Sequence, residues 1–276
     1  MNQHEPSGND ADIQQCLSGQ RLFGDSLDEE GIRKWFADEA RGYFNLSQGE
    51  AQKRSEYDAL NEVTLFRHVR GRRYRTGLAL GCATGQDIAP IAPLMDQIVA
   101  VEPTEDFWRD EIAGTPSSYR KPTLRGTVDM PDNSIDIATA ISVLHHIPNV
   151  TEVLRELHRL LSPQGLLLLR EPIVSMGDWR KPRRGLTANE RGVPHRWLLD
   201  KLGAIGFEIR RKSYCEFAPL ARLWHGVGVL PYQHRATMSL DLAISFATTW
   251  NIRYHRTSFF QKLMPSGVAL VCRKVG

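Results

Sequence analysis

Leu78-Ala79-Leu80-Gly81-Cys82-Ala83-Thr84-Gly85-Gln86-Asp87 is the stretch in which this chain passes from an apolar strand into a glycine-bearing loop. Residues 76–80 form an apolar run of strand length. The two glycines behind them allow a sharp turn and a close approach of backbone to a ligand. A strand that hands over to a helix through such a turn sits at the carboxyl end of a sheet, where open α/β folds bind their ligands. Pro90 and Pro93 fall where that helix runs, so a shortened or kinked helix is expected.

Outward from this turn the pattern repeats. Strands are expected over residues 97–101, weakly over 123–126, then over 135–141, 165–170, 207–213 and 268–273. Between them, helices are expected over 105–112, 150–161 and 194–203. Val153, Leu154, Leu157, Leu160 and Leu161 mark the apolar face of the second of these helices. Continuous apolar strands alternating with amphipathic helices mean a mostly parallel sheet covered on both sides, a doubly wound α/β domain. It is expected to occupy residues 75–276. Residues 1–74 precede it, with a loose leader over 1–25, a helix behind Asp28 carrying Ile32, Trp35, Phe36 and Ala40, and a second helix over 51–70. More than fifty residues separate the last two strands, too long for a structureless loop, so a helical insertion over 214–266 is expected as a cap on the substrate.

Composition narrows the class. The chain has 276 residues, 41% hydrophobic and 24% charged, with a formal charge of +3. That suits a globular protein and says little about nucleic acid, since distribution matters more than the sum. Cys16, Cys82, Cys215 and Cys272 are scattered with no CxxC pair, which argues against a disulfide framework or a zinc site and for a reducing compartment. No run reaches the roughly 18 apolar residues of a membrane span, and the N-terminus lacks a signal-peptide pattern, so a cytoplasmic location is expected.

Glu102 stands 21 residues past Gly81, at the end of the second strand. An acidic side chain there accepts hydrogen bonds from both ribose hydroxyls of a nucleoside cofactor. A dinucleotide fingerprint requires GxGxxG, but the corresponding positions are Gly81, Ala83 and Gln86. S-adenosylmethionine carries no phosphate and needs no such triplet.

Five segments then occur in one order: Gly81–Gly85, Val101-Glu102-Pro103, the run from Gly126 through Asp129-Met130-Pro131 to Asp136, Val143-Leu144-His145-His146-Ile147, and the run from Val153 to Gly165. Together they resemble the class I S-adenosylmethionine-dependent methyltransferases, in the branch that acts mostly on small molecules, over residues 75–171. The resemblance implies a seven-stranded sheet and S-adenosyl-L-methionine as cofactor. Gly81, Cys82, Ala83 and Gly85 would line the turn beneath the methionine and ribose. Glu102, with Pro103, would hold the ribose hydroxyls. Asp129 would face the adenine amino group with Met130 against the ring, and Ser142 and Val143 would lie near the sulfonium. Two departures are Ala79, where the family often carries an acid, and Ala83, where it carries the middle glycine.

For catalysis, His145 and His146 follow the fourth expected strand at the ligand edge, and one of them is the leading candidate for general base. A structural role for both is the alternative. Glu171 ends the fifth strand and either faces substrate or pairs with a neighbouring arginine. Glu190 and His195 are weaker candidates, and no metal site is expected. The loop holding Arg180, Lys181, Arg183, Arg184, Arg191 and Arg196 reads either as a grip on an anionic acceptor or as a solvated loop. Trp224, Trp250, Tyr254 and Phe259 wall a pocket or form the core of the insertion. The expected reaction is O-methylation of a small molecule, a saccharide or another hydroxylated metabolite. A nucleic-acid (tRNA) methyltransferase and a non-catalytic cofactor-binding subunit are the alternatives. The oligomeric state is left open.

Overall fold

The computed structural model describes residues 10–46, 56–183 and 185–276. The segment 51–55 of the second expected helix, residues 1–9 of the leader, and Arg184 lie outside them. The elements in chain order are α1 (Asp10–Ser18), α2 (Glu29–Leu46), α3 (Asp58–Thr64), β1 (Tyr74–Leu80), β2 (Met95–Val101), β3 (Glu111–Ile112), β4 (Thr115–Arg120), β5 (Ile135–Ile141), α4 (Val150–Leu160), β6 (Leu161–Pro172), α5 (His195–Ile205), β7 (Phe207–Phe217), α6 (Ala218–Gly226), α7 (Arg235–Ala247) and β8 (Pro265–Lys274).

The strands form one sheet in the order β3-β4-β2-β1-β5-β6-β8-β7. Strands β4, β2, β1, β5 and β6 run parallel, while β8 is antiparallel to both β6 and β7. Successive strand residues face opposite sides. Leu78, Ala138, Leu167 and Leu169 therefore pack under α4 and α5, and Ala79, Ile137 and Leu168 pack against Phe66, Ile88 and Ile91. Both faces are dry, as the unbroken apolar strands require.

The expected seven strands are eight, and the differences lie at one edge. No helix spans 105–112: a 3-10 turn covers Glu105–Phe107, and Glu111–Ile112 is β3. Ala113 and Gly114 both have positive φ (49° and 79°), the conformation of a two-residue hairpin turn, so the chain doubles back into β4. The third parallel strand is thus 115–120, and residues 123–126 form a turn. Behind the glycine turn the expected helix is reduced to two 3-10 turns, Gln86–Ile88 and Ala92–Leu94, with Pro93 in the second. The leader also differs, because residues 10–18 are helical; Cys16 packs with Trp179 and Tyr254.

Candidate active site

Two backbone turns face each other at the carboxyl edge. The first follows β1, where Gly81, Ala83 and Gly85 all have positive φ (58°, 46° and 83°). The second follows β5, where Ser142 has φ 55° and donates its N–H to Arg170 O at 2.7 Å. They approach so closely that a Cβ at Gly81 would stand 2.2 Å from Val143 Cγ2. Glycine at 81 is therefore required by space as well as by torsion.

The first turn is pinned from three sides. Gly81 N–H donates to Val101 O at 2.8 Å. Glu102 accepts the N–H of Ala83 at 3.2 Å on one carboxylate oxygen and that of Thr104 at 3.0 Å on the other. Tyr119 Oη–H, from β4, donates to Ala83 O at 2.9 Å, and Trp108 stacks on the Tyr119 ring while donating to Glu102 O. Below, Ile112 of β3 fills the space under Gly85. Sequence reading missed Trp108, Ile112 and Tyr119, because their role depends on a hairpin whose signal is the Ala113-Gly114 pair alone.

Burial holds the Glu102 carboxyl above its ordinary range, against the opposing hydrogen bonds from Thr104 and Ala83. Each oxygen keeps a second lone pair beyond its backbone bond, so the carboxylate suits a pair of ribose hydroxyls. Burial also pushes the Cys82 thiol up to about 12, so it remains a neutral lining group. Pro103 is exposed beside Glu102. Asp129 is exposed too, and Met130 is half-buried on a segment that α4 clamps. Glu156 accepts the N–H of Val128 at 2.8 Å, and Arg159 donates to Val128 O, Met130 O and Asp132. That clamp, too, went unseen in the sequence.

On the other side of the sheet Glu171 is buried at the end of β6. One of its oxygens accepts the N–H groups of Val143 (2.8 Å) and Leu144 (2.7 Å), and the other lies 2.8 Å from His145 Nδ1. His146 Nδ1 lies 3.0 Å from Glu39 of α2, and Trp35 Nε1–H donates to His146 O at 2.8 Å. The structure therefore brings the three expected catalytic residues together and pairs Glu171 with His145 rather than with an arginine. Glu190 joins them, 4.0 Å from His145 Nε2. His145, His146 and Glu190 present one metal-ligand-type atom each, all within 4.8 Å of one another. His195 is not part of this group; its Nε2 lies 3.1 Å from Tyr214 Oη of β7.

The basic loop is largely spent internally. Arg180 pairs with Asp178, and Arg183 donates to the carbonyls of Met176, Thr187 and Ala188. Arg191 is fully buried, donating to the carbonyls of Phe23, Leu144, His145, Ile147 and Pro148. These bonds lock the segment before α2, the 144–148 turn and the loop into one piece.

Residues 78–169 match the methyltransferase-domain family. No curated protein matches the chain. Among solved structures, that of the 4+2 cyclase SpnF has a TM-score of 0.55 at 19% identity, covering 91% of this chain and 98% of that one. The 1,6-didemethyltoxoflavin-N1-methyltransferase of Burkholderia thailandensis, solved with 1,6-didemethyltoxoflavin and S-adenosylhomocysteine, has a TM-score of 0.56 at 13% identity, covering 91% and 92%. At such identities structural likeness speaks for the fold; the family match speaks for the domain. Residues 78–169 therefore form a methyltransferase domain, and the sheet order, the glycine turn and Glu102 agree with the class I fold expected for it. The methyltransferase domain makes the chain an enzyme. No helix among the described residues is long and apolar enough to cross a membrane.

Proposed function

We propose that this enzyme methylates a hydroxyl group of a small molecule, such as a saccharide or another hydroxylated metabolite, with His145 as general base. The observation that carries the reading is the Glu171–His145 contact. A carboxylate on Nδ1 holds the ring in the tautomer whose Nε2 accepts a proton, and steadies the imidazolium once it forms. Glu171 is a positioning residue, since it also ties down the Val143 and Leu144 amides.

The roles proposed for the contacts of the cofactor, S-adenosyl-L-methionine, are those that the family resemblance implies. Glu102, beside Pro103, takes the ribose hydroxyls. Gly81, Cys82, Ala83 and Gly85 form the floor, and Ser142 with Val143 forms the facing wall. Asp129 and Met130 serve the adenine. When bound, the cofactor supplies an activated methyl group, and the protein supplies alignment and electrostatics. His145 Nε2 would take the proton of the acceptor hydroxyl, leaving its oxygen as the nucleophile for the methyl group that the bound cofactor would supply. His146, tethered to Glu39, positions α2 over the edge. The internal engagement of Arg180, Arg183 and Arg191 favours a small acceptor over nucleic acid, because it removes them from phosphate binding.

A panel of saccharides and hydroxylated metabolites, screened with methyl-labelled cofactor, identifies the acceptor. With that acceptor, His145→Gln is expected to lower kcat by about a hundredfold or more. S-adenosylhomocysteine affinity should stay unchanged, and chelator treatment should leave the wild-type rate intact. An unaltered kcat in the variant removes the base, and a chelator-sensitive rate replaces it with a metal held by His145, His146 and Glu190.

A further inference from the structure

The insertion between β7 and β8 has a core, in which Tyr232 and Met238 pack with Ala59, Leu60 and Cys215, and several of its aromatic residues lie outside that core. Tyr254 is buried with Cys16 and Trp179, but Trp250 is 82% exposed, Phe260 76%, Phe246 74% and Phe259 68%. Among the described residues outside the insertion, the exposed large apolar side chains are Leu27 and Phe36, at 36% each, and Val275, at 48%. Four protruding aromatics within fifteen positions of sequence are costly in water and call for a partner.

These side chains are presented by well-built backbone. Phe246 lies on the last turn of α7, one turn before Trp250. Asn251 Nδ2–H donates to the carbonyls of Phe260 (2.8 Å) and Leu263 (3.2 Å), which folds the Phe259–Phe260 tip back beside Trp250. Gln261 caps that tip by accepting the N–H groups of Thr257 and Ser258. The tip is joined to the carboxyl edge of the sheet, since Ser175 N–H donates to Tyr254 O and Ile173 N–H to Ser266 O.

Charge identifies the partner. Between Ala218 and Gly276 the one acidic residue is Asp241, which is buried and accepts the backbone N–H groups of Glu216 and Phe217. Arg222, Arg235, Arg253 and Lys262 are exposed on the same insertion. Protruding Trp and Phe rings on an insertion whose exposed charges are cationic suit the boundary between anionic headgroups and acyl chains. A second copy would bring like charges together. A flat protein partner needs pockets to receive four projecting rings, whereas a bilayer receives them without complementary shape.

We propose that the insertion is a peripheral membrane anchor that docks this enzyme on anionic lipid surfaces through Phe246, Trp250, Phe259 and Phe260. The carboxyl edge, with its cofactor turn and His145–Glu171 pair, is thereby held next to the headgroup layer. The inference does not depend on which acceptor is methylated.

Vesicle co-sedimentation tests it. The full chain should partition onto phosphatidylcholine vesicles containing about 30% phosphatidylglycerol, and about tenfold more weakly onto phosphatidylcholine alone. The combined variant Trp250→Ala, Phe259→Ala, Phe260→Ala should lose partitioning at least tenfold while binding S-adenosylhomocysteine as the wild type does, which shows that it is folded. The variant Arg253→Glu, Lys262→Glu should lose the preference for anionic vesicles. No wild-type binding to anionic vesicles, or undiminished binding by the aromatic variant, overturns the anchor. So does a dimer by light scattering that the aromatic variant abolishes, because the patch would then serve a second copy.

Discussion

Ala83 does a glycine's work. Its φ of 46° lies in the left-handed region, and the Glu102 and Tyr119 bonds clamp it there from both sides. For an L-residue this conformation costs roughly 1–2 kcal/mol. Ala83→Gly relieves that strain but adds freedom to the unfolded chain worth about 0.4–1 kcal/mol. A net gain of about 0.5–1 kcal/mol is expected, read as a higher urea midpoint at unchanged slope. A lower midpoint would mean that the clamp, not the torsion, dominates at this position. Ser142, equally left-handed (φ 55°), was read in the sequence only as a residue near the sulfonium, because nothing in serine itself announces a positive φ.

At the scale of elements, the β3–β4 hairpin is the hidden support of the cofactor turn. A Cβ at Gly85 would meet three side-chain carbons of Ile112 at 2.6 to 2.7 Å, on a residue whose φ is already +83°. Ile112→Ala is expected to cost about 2–4 kcal/mol as a cavity beneath the turn. Gly85→Ala should destabilise through both overlap and torsion. The double variant should fall short of the sum, because the shortened side chain makes room for the new methyl; the shortfall, by urea denaturation, measures the contact. The central strands were legible because a strand buried on both faces leaves an unmistakable apolar run. The hairpin was not: β3 is two residues long, β4 is largely polar on its outer face, and Ala113 is an unusual occupant of a turn position. Likewise Glu102 was readable by its distance from Gly81. The Glu156–Arg159 clamp on residues 128–132 depends on a helix face meeting a loop, which local pattern does not encode.

Across the whole molecule, acid stability turns on histidines buried without charge in the α4–α5 layer. His195, at the start of α5, is held down to about 4 by burial, with Lys212 and Arg196 adding repulsion, while its Nε2 faces Tyr214 Oη. His158 of α4 is lowered as well, again chiefly by burial. A free histidine titrates near 6.5, so between pH 6.5 and 4 the unfolded chain takes up a proton at residue 195 and the folded chain does not. The stabilisation is complete above pH 6.5 and is lost as pH falls through that window. Asp25 and Asp241, raised by burial, act in the opposite sense: the folded chain holds their protons more tightly, so their cost is relieved as pH falls. Because His195 is partly open to solvent, its share is of the order of 1–2 kcal/mol. Unfolding in urea at pH 7.0, 5.5 and 4.5 isolates it. His195→Gln keeps a polar partner for Tyr214 but cannot take up the proton, so its stability curve should be flatter than the wild type's by that amount. Parallel curves would show that His195 charges freely in the folded protein and that the α5–β7 packing admits more water than its burial implies.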